Sequence, residues 1–417
     1  MPDPKDLATL STEVQRAVAQ TPITDIHTHL FPPSHDDLLL WGVDELITYH
    51  YLVAELFTVA PSDLTPDAFW KLPKQAQADL VWEHVFLRHG ALSEAARGVI
   101  TVLTSLGLDP AGRDLKPIRK WFAEQKVEDY LRKVFDLAGL DYAVMTNDPF
   151  QPDEAKQWLA DKEGIDLLRP ALRIDPLLVA WPEATETIKA AGYKISPAAD
   201  NENFAVARQF LLDWAKRIKP VYMAASLPPE FRYPGYGLTE QVMEKVVLPV
   251  ARELDVPVAL MIGVRKLVNP ALGVGGDAVG IADVTAVTGL CLNNPDIKFL
   301  VTMLSRVNQH ELCVAARKFG NLHLFGCWWF CNDPSIIEEM TNQRLELLGA
   351  TFTCQHSDAR VLDQIIYKWS HTRRIVSKVM TEKYCSLFEA GWRPTSDEIT
   401  RDVRGIFGGM FHEFLAK

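Results

Sequence analysis

The chain has 417 residues, 48% of them hydrophobic, which is enough to bury the core of one large barrel or roughly two to three ordinary domains. The net charge of −11 argues against broad nucleic-acid binding, because phosphates require a basic face. A small anionic ligand is still compatible with this charge, since a few arginines can bind one carboxylate. We therefore expect a small-molecule partner and no nucleic acid.

Targeting and redox signals are sparse. The sequence has no apolar run of the ~18–20 residues that a membrane-spanning helix needs. Its first residues, MPDPKDLATLSTEVQ, lack the basic start and apolar stretch of a signal peptide. The six cysteines fall in the last third of the chain without a CxxC pair, so buried free thiols are expected. We expect a cytoplasmic protein with no membrane partner.

After a predicted helix at LATLSTEVQRAVAQ, short apolar segments alternate with helix-like stretches. Near-continuous apolar runs are typical of parallel strands that are covered on both faces. Eight such segments occur: ITDIHTH (23–29), DYAVMTND (141–148), LRPALRID (168–175), VYMAASLP (221–228), VPVALMIG (256–263), KFLVTMLSR (298–306), NLHLFGCWWF (321–330) and TFTCQHSD (351–358). Eightfold strand–helix alternation predicts an α/β fold, a (β/α)8 TIM-type barrel.

One interval interrupts this alternation. The stretch between the first two predicted strands is far longer than a loop and one helix, and it is rich in Leu, Ala, Trp and Glu. We interpret residues 35–135 as a helical insertion that roofs an active site. Residues 1–34 then hold the first helix and strand, and residues 136–417 hold the rest of the barrel and the C-terminal helices.

Two histidines end the first predicted strand, in Asp25-Ile26-His27-Thr28-His29. Residues i and i+2 of a strand point to the same face, so His27 and His29 can bind one metal ion. Chance HxH pairs are common, but the catalytic groups of barrels lie at the C-terminal ends of strands. The position favours a metal site over a structural pair.

Asp358, in QHSDAR (355–360), follows the eighth predicted strand. Strands one and eight are neighbours in a closed barrel, so Asp358 can join His27 and His29 around Zn²⁺ or another divalent ion. Asp358 can instead be the N-cap of the next helix, or it can be both an N-cap and a metal ligand. No histidine lies between His89 and His310, which favours one metal ion over two.

These features resemble the amidohydrolase superfamily and, within it, the uronate (glucuronate) isomerases, specifically a divergent bacterial branch. The resemblance runs from near residue 21 to about residue 380. Its motifs are TDIHTHLF (24–31), LLLWGVDELITYHYLVAE (38–55), MTNDPF (145–150), ALRIDP (171–176), MAASLPPEF (223–231), VTMLSR (301–306), FGCWWF (325–330) and QHSDAR (355–360). It implies interconversion of D-glucuronate with D-fructuronate and of D-galacturonate with D-tagaturonate.

The resemblance also implies roles for residues outside the metal site. His50 and Tyr51 match the family's His-Tyr pair on the roofing segment. Arg360 is similar to the partner of that tyrosine. Trp328 and Trp329 match a double tryptophan, of which we expect Trp329 to face substrate.

The expected reaction moves a proton between C2 and C1 of the sugar and needs no redox cofactor. An arginine beside a tyrosine stabilises its phenolate, so Arg360 is expected to lower the pKa of Tyr51 and make it a base. Asp358 is the alternative base, and Tyr51 is then a packing residue. Arg173 or Arg306 can hold the C6 carboxylate through forked hydrogen bonds.

One position departs from the family. Many uronate isomerases carry a histidine on strand five, where this chain has Met261, and a thioether is a poor ligand for a hard cation. Two other functions stay open, a single-metal hydrolase and a sugar-acid binding protein without turnover. The sequence does not determine the number of subunits, so both a monomer and a homo-oligomer stay open.

Overall fold

The computed structural model describes residues 3–160 and 164–417. Seven parallel strands form one sheet in which neighbours in the sheet are also neighbours along the chain. They are β1 (Ile23–Thr28), β2 (Leu140–Asn147), β3 (Leu168–Arg173), β4 (Met223–Leu227), β5 (Val258–Ile262), β6 (Phe299–Met303) and β7 (Leu322–Leu324). The α/β class and the parallel strands are confirmed. A small antiparallel hairpin, Val264–Arg265 with Ala278–Val279, follows β5.

Alternate residues of each strand pack on opposite faces of the sheet. On β5, Ala259 and Met261 belong to a buried cluster that also holds Ile26 of β1 and Phe325, just beyond β7. Leu260 belongs instead to the larger cluster shared with the surrounding helices. Side chains from strands at both ends of the sheet therefore meet inside it, which requires a curled sheet with a filled interior.

The eighth predicted strand, residues 351–358, is not a regular strand. It has one parallel bridge, between Phe325 and Thr353. Beyond it, the Gln355 side chain accepts hydrogen bonds from the backbone N–H groups of Cys327 (2.6 Å) and His356 (3.0 Å). The amide side chain of Gln355 thus binds backbone N–H groups that a regular β-ladder would use. Asp358, at φ +53°, is not in the extended conformation of a strand.

Helices fill the interval between β1 and β2, all of which the structure describes. α1 (Leu7–Gln20) precedes β1 and packs against a long helix near the C-terminus, Gln364–Glu389. The interval then holds α2 (Val43–Ile47), α3 (His50–Val59), α4 (Pro66–Trp70), α5 (Lys74–Val81), α6 (Glu94–Ser105), α7 (Leu115–Ala123), α8 (Val127–Ala138), a 3₁₀ turn (Pro33–Leu38) and a π segment (Trp82–Arg88). In α8, Tyr130, Leu131 and Val134 recur at helical spacing on the buried face, and Gly139 ends the helix at φ +69°.

The remaining helices connect the strands and close the chain. They are α9 (Pro152–Leu159), α10 (Asp175–Val179), α11 (Trp181–Ala190), α12 (Asn201–Ile218), α13 (Leu238–Val242), α14 (Leu248–Leu254), α15 (Thr285–Asn293), α16 (Gln309–Ala316), α17 (Pro334–Leu348), α18 (Gln364–Glu389), α19 (Ser396–Arg404) and α20 (Met410–Ala416). Among the described residues, no helix has the length and apolar character that a membrane crossing requires. All six cysteines are free thiols; five of them are buried, as predicted, whereas Cys385 is partly exposed.

Candidate active site

The structure brings the predicted metal-site residues together where β1 ends. Nε2 of His27 lies 3.6 Å from Oδ1 of Asp358, and Nε2 of His29 lies 3.3 Å from the same oxygen. Two backbone hydrogen bonds hold the segments in place, Asp358 N to His27 O (3.1 Å) and His29 N to Ala359 O (2.7 Å). The three ligand atoms lie within 4.8 Å of one another, as one ion requires.

Each imidazole is oriented by a hydroxyl group through its other nitrogen. Tyr222 donates its O–H to the carbonyl of Ile26 (2.7 Å), so its oxygen accepts from Nδ1–H of His27 (3.2 Å). Thr146 donates to the carbonyl of Thr28 (3.2 Å) and likewise accepts from Nδ1–H of His29 (2.8 Å). Both rings therefore direct an Nε2 lone pair towards Asp358, the arrangement common to metal-binding histidines.

Two polar atoms of the predicted metal site have no hydrogen-bond partner within the protein. Nε2 of His27 and Oδ1 of Asp358 are buried and make no hydrogen bond. Burial, followed by the charge of neighbouring His29, lowers the pKa of His27 to about 3, so this imidazole is neutral. Two neutral imidazoles and a carboxylate around unpartnered atoms fit one divalent ion.

Asp25 links β1 to the segment that carries Asp358. Its carboxylate accepts from the indole N–H of Trp369 (2.8 Å) and from the backbone N–H of Ser357 (3.0 Å). Burial raises the pKa of Asp25 to about 6. We assign Asp25 a positioning contribution, because its bonds fix two chain segments that converge on the site.

A third imidazole, His356, packs beside His27 at a ring-centre distance of 5.3 Å. Gly326 leaves room for it, since a Cβ at this φ of +65° would lie 1.8 Å from the His356 ring. Met261, where the sequence resemblance leads us to expect a histidine, is buried in the apolar cluster inside the sheet. Within the described residues, the only group of side chains whose geometry could hold a metal ion is His27, His29 and Asp358.

Arg173 lies at the end of β3, where it was predicted, but its charge is already paired. Nε and Nη2 form a fork with Asp175, at 3.1 and 3.0 Å. Asp148 and Glu154 also act on this arginine, and burial raises the pKa of Asp148 to about 6 and of Glu154 to about 7. Arg173 therefore stands in a largely acidic environment next to the site.

Of the two other arginines predicted for the site, one lies there and the other does not. Arg360 reaches the site, and its guanidinium takes part in none of the ion pairs found among the described residues. Arg306 does not reach the site. Its Nε binds Glu339 at 2.6 Å and its side chain is 63% exposed, so the prediction that Arg306 holds substrate is corrected.

The helical interval between β1 and β2 contributes His50 and Tyr51 at the start of α3. The His50 and Tyr51 rings lie 4.6 Å apart, and Tyr49, which the sequence reasoning missed, packs on both. Burial, then the charges of Tyr49 and Asp358, raises the pKa of Tyr51 well above its ordinary value. The expected lowering by Arg360 is wrong, because desolvation of the phenolate dominates.

A cavity of about 30 Å³ borders the metal-site residues, and we call it the chamber. His50, Arg173, Lys266, Trp329 and Arg360 also line it. This volume holds roughly two water molecules. The chamber is therefore too small to hold a sugar.

A second cavity of about 280 Å³, the vestibule, adjoins the chamber, and His50 and Trp329 border both. Tyr51 lines the vestibule. The His50 and Trp329 rings lie 5.8 Å apart, and His50 Nε2 and Trp329 Nε1 are buried without hydrogen-bond partners. These two rings therefore form the wall between the cavities, with two unused polar atoms on it.

Several residues at the site were missed by the sequence reasoning. Thr146 lies in the motif MTNDPF, which was noted without a role, and Tyr222 precedes β4 in an apolar run. Lys266 lies in the hairpin after β5, where no strand or helix was predicted. The only available signal for Lys266 was a positive charge shortly after the fifth predicted strand.

The fold and site can be compared with known proteins. No family model matches the chain, and no curated protein matches it. The crystal structure of a uronate isomerase from Bacillus halodurans is 47% identical, with a TM-score of 0.96 over 99% of this chain and 98% of that one.

Two more distant structures share the fold. A uronate isomerase from Thermotoga maritima is 16% identical, with a TM-score of 0.75 over 97% of both chains. A glucuronate isomerase from Caulobacter crescentus is 15% identical, with a TM-score of 0.78 over 99% of this chain and 95% of that one. At 47% identity over almost its whole length, the chain belongs to the uronate isomerase family.

Proposed function

We propose that this uronate isomerase interconverts D-glucuronate with D-fructuronate and D-galacturonate with D-tagaturonate. The observation that carries the proposal is the convergence of His27, His29 and Asp358 beside the unpaired guanidinium of Arg360. A uronate brings hydroxyl and carbonyl oxygens to such a centre and a carboxylate to its cations. The partner of the enzyme is thus a small sugar acid.

One divalent ion, zinc, would be held by the Nε2 atoms of His27 and His29 and by the carboxylate of Asp358. When bound, it would supply positive charge against the negative charge that develops on the sugar oxygens. Thr146 and Tyr222 keep both imidazoles in the tautomer that such binding needs.

The proton transfer is assigned to Asp358 and Tyr51. A phenol whose pKa is raised stays protonated, so Tyr51 is assigned as the donor and not as the base. The carboxylate of Asp358 removes the C2 proton and returns it to C1 through the enediol. Tyr51 gives its proton to O1 of the aldose and recovers one from the C2 hydroxyl, so both residues end the cycle unchanged. This reverses the expected role of Tyr51 and keeps both residues in the reaction.

Substrate contacts are assigned to the chamber wall. Arg360 offers an unpaired guanidinium, and Arg173 keeps Nη1 after its fork to Asp175. His50 and Trp329 offer the unpartnered Nε2 and Nε1 atoms to sugar hydroxyls. For a hexuronate to enter, the wall formed by His50 and Trp329 has to move.

We further propose that the curled sheet is a complete (β/α)8 barrel in which residues 351–358 act as an irregular eighth strand. The bridge at Thr353 on one side and the bonds of Asp358 and Ala359 to β1 on the other support this closure. Residues 35–135 are then the roofing insertion, because they bring His50 to the chamber.

The test is incubation of the purified protein with D-glucuronate and D-galacturonate, with detection of ketose and of product mass. Isomerisation leaves the mass unchanged, whereas a hydrolase adds water to its substrate. Asp358→Asn is the control and should abolish ketose formation. Binding of uronates without ketose would instead indicate a sugar-acid binding protein and contradict the proposal.

A further inference from the structure

A charged side chain is buried behind Tyr51, where α18 meets the helices between β1 and β2. The side chain of Lys368 is 3% exposed, and its Nζ lies 3.3 and 3.4 Å from the two carboxylate oxygens of Glu94, the first residue of α6. The same Nζ lies 5.6 Å from the ring centre of Tyr51 and 5.0 Å from that of Tyr367. A cation within ~6 Å of an aromatic ring centre is attracted to the ring face. Lys368 thus contacts the assigned proton donor, although it does not line the chamber.

The start of α6 is tied to α3, the helix that carries Tyr51. Ser93, the N-cap of α6, donates its hydroxyl to Oε2 of Glu55 at 2.8 Å. Glu55 lies one turn after Tyr51 on α3, so both residues lie on the same face of that helix. Together with Glu94, these residues line the vestibule. The carboxylate that binds Lys368 is therefore fixed relative to the helix of the proton donor.

The start of α18 is tied to the segment that carries the assigned base, Asp358. Oε1 of Gln364, the first residue of α18, accepts from the backbone N–H groups of Arg360 at 2.9 Å and of Val361 at 3.0 Å. Lys368 follows Gln364 by four residues, about one helical turn. Its ammonium therefore joins the ring of the proton donor to the helix that begins beside the base.

The burial of this ion pair calls for a reason other than stability. The cost of taking two charges out of water can exceed their mutual attraction, so a buried pair is weak evidence for a stabilising contribution. Position is the better reason, because a displacement of about 1 Å in a reacting group can cost ~10²-fold in rate. Proton transfer by Tyr51 and Asp358 requires such a fixed separation, and the helices that carry them meet at Lys368 and Glu94.

We propose that Lys368 and Glu94 are positioning residues of the isomerase, which fix the ring of Tyr51 relative to Asp358. The role rests on the proposed function, in which Tyr51 donates a proton and Asp358 is the base. It holds for any orientation of the sugar in the chamber, because neither Lys368 nor Glu94 has to touch the substrate.

The kinetic test removes both charges together, in Lys368→Met/Glu94→Gln, because one substitution alone leaves a buried charge unpaired. The matched control, Lys378→Met/Glu338→Gln, removes an ion pair of 2.6 Å that joins α18 to α17 at more exposed positions. The first variant should lower kcat ~10–100-fold, with KM within about threefold and native metal content. The control should leave kcat and KM unchanged. Native kcat in the first variant, or equal losses in both, would overturn the proposal.

A single variant serves if the double variant fails to fold. Glu94→Gln keeps an oxygen for the ammonium, so the protein should stay folded while the contact weakens. Its kcat should fall roughly three- to tenfold, at native metal content, because the ring of Tyr51 is held less firmly. Native kcat in Glu94→Gln would then count against the role.

The same substitutions in a Tyr51→Phe background separate positioning from a general effect on the fold. Because the pair acts through the Tyr51 hydroxyl, its removal should change kcat by less than about twofold once that hydroxyl is absent. A loss of equal size in both backgrounds would show that Lys368 and Glu94 act independently of Tyr51, which contradicts the proposal.

A last measurement does not depend on turnover. Fluorotyrosine introduced at position 51 gives a fluorine NMR signal that reports the surroundings of this ring. The signal should shift or broaden in Lys368→Met/Glu94→Gln and stay native in Lys378→Met/Glu338→Gln, and an unchanged signal in both would overturn the proposal. If Tyr51→Phe alone retained native kcat, the assigned role of Tyr51 would fail instead, while the fluorine signal would still decide whether Lys368 fixes the ring.

Discussion

Nε2 of His29 lies 3.3 Å from Oδ1 of Asp358, while Nδ1 of the same ring lies 2.8 Å from Oγ1 of Thr146. The imidazole is thus held between a hydroxyl on β2 and a carboxylate beyond β7. His27 repeats this arrangement with Tyr222 in place of Thr146. Because the hydroxyls fix the tautomers, the protein itself prepares both lone pairs for a metal ion.

The first prediction concerns metal content. Purified protein should carry close to one divalent ion per chain, and His27→Ala, His29→Ala and Asp358→Asn should each lose most of it, because each removes one ligand atom. Inductively coupled plasma mass spectrometry measures this directly. His310→Ala, at an exposed histidine, is the matched control. Two ions per chain, or full occupancy in all three variants, would contradict the site.

The second prediction concerns the hydroxyls behind the imidazoles. Thr146→Val and Tyr222→Phe remove the acceptors of Nδ1–H but keep the shape of the side chains, so metal affinity should fall ~10–100-fold. Competition with a chelator measures the affinity. Thr101→Val is a suitable control, since its hydroxyl contacts His371, outside the chamber. Native metal affinity in both variants would mean that Asp358 orients the two imidazoles without help from the hydroxyls.

The third prediction concerns proton transfer. Tyr51→Phe should lower kcat by ~10²–10⁴-fold and leave metal content intact, because it removes the proton donor. Arg360→Met removes a substrate contact and should act mainly on KM, so the losses of the two single variants should roughly add in the double variant. Steady-state kinetics with both uronates and metal analysis of each variant give these values. A Tyr51→Phe enzyme within a few-fold of native would return Tyr51 to a packing role.

The sequence predicted what depends on strand order. The HxH pair and Asp358 lie at the ends of segments whose apolar character is evident, and a barrel brings such ends together whatever lies between them. Seven of the eight predicted strands are strands of the sheet. The eighth is irregular because the Gln355 side chain binds a backbone N–H group and Asp358 has a positive φ. A hydropathy pattern shows neither feature.

Other site features depend on tertiary packing and were not predictable. The pKa of Tyr51 is set by burial, which overrides the arginine that the sequence suggested as its partner. Arg306 follows β6 and Arg173 ends β3, yet the side chain of Arg306 turns outward to Glu339. Lys266 enters the chamber only because a short hairpin folds back after β5.

The final prediction concerns pH and Glu154. Its carboxylate accepts from the backbone N–H of Asp148 at 2.7 Å, and burial raises its pKa from 4.5 to about 7. Between these two values the folded protein keeps a proton that the unfolded chain has released. The free energy of unfolding therefore falls as pH rises through this window.

Glu154→Gln removes this titration and keeps an oxygen for the N–H of Asp148. The variant should match native stability near pH 4.5 and exceed it above pH 7, by on the order of 1–3 kcal/mol after allowance for partial solvent exposure. Urea unfolding of both proteins at several pH values between 4.5 and 8 gives the comparison. Glu183→Gln, at an exposed glutamate of α11, should follow the native profile throughout. Parallel profiles for native protein and Glu154→Gln would show that Glu154 ionises normally in the fold, and the acidic surroundings of Arg173 would then be fully charged at neutral pH.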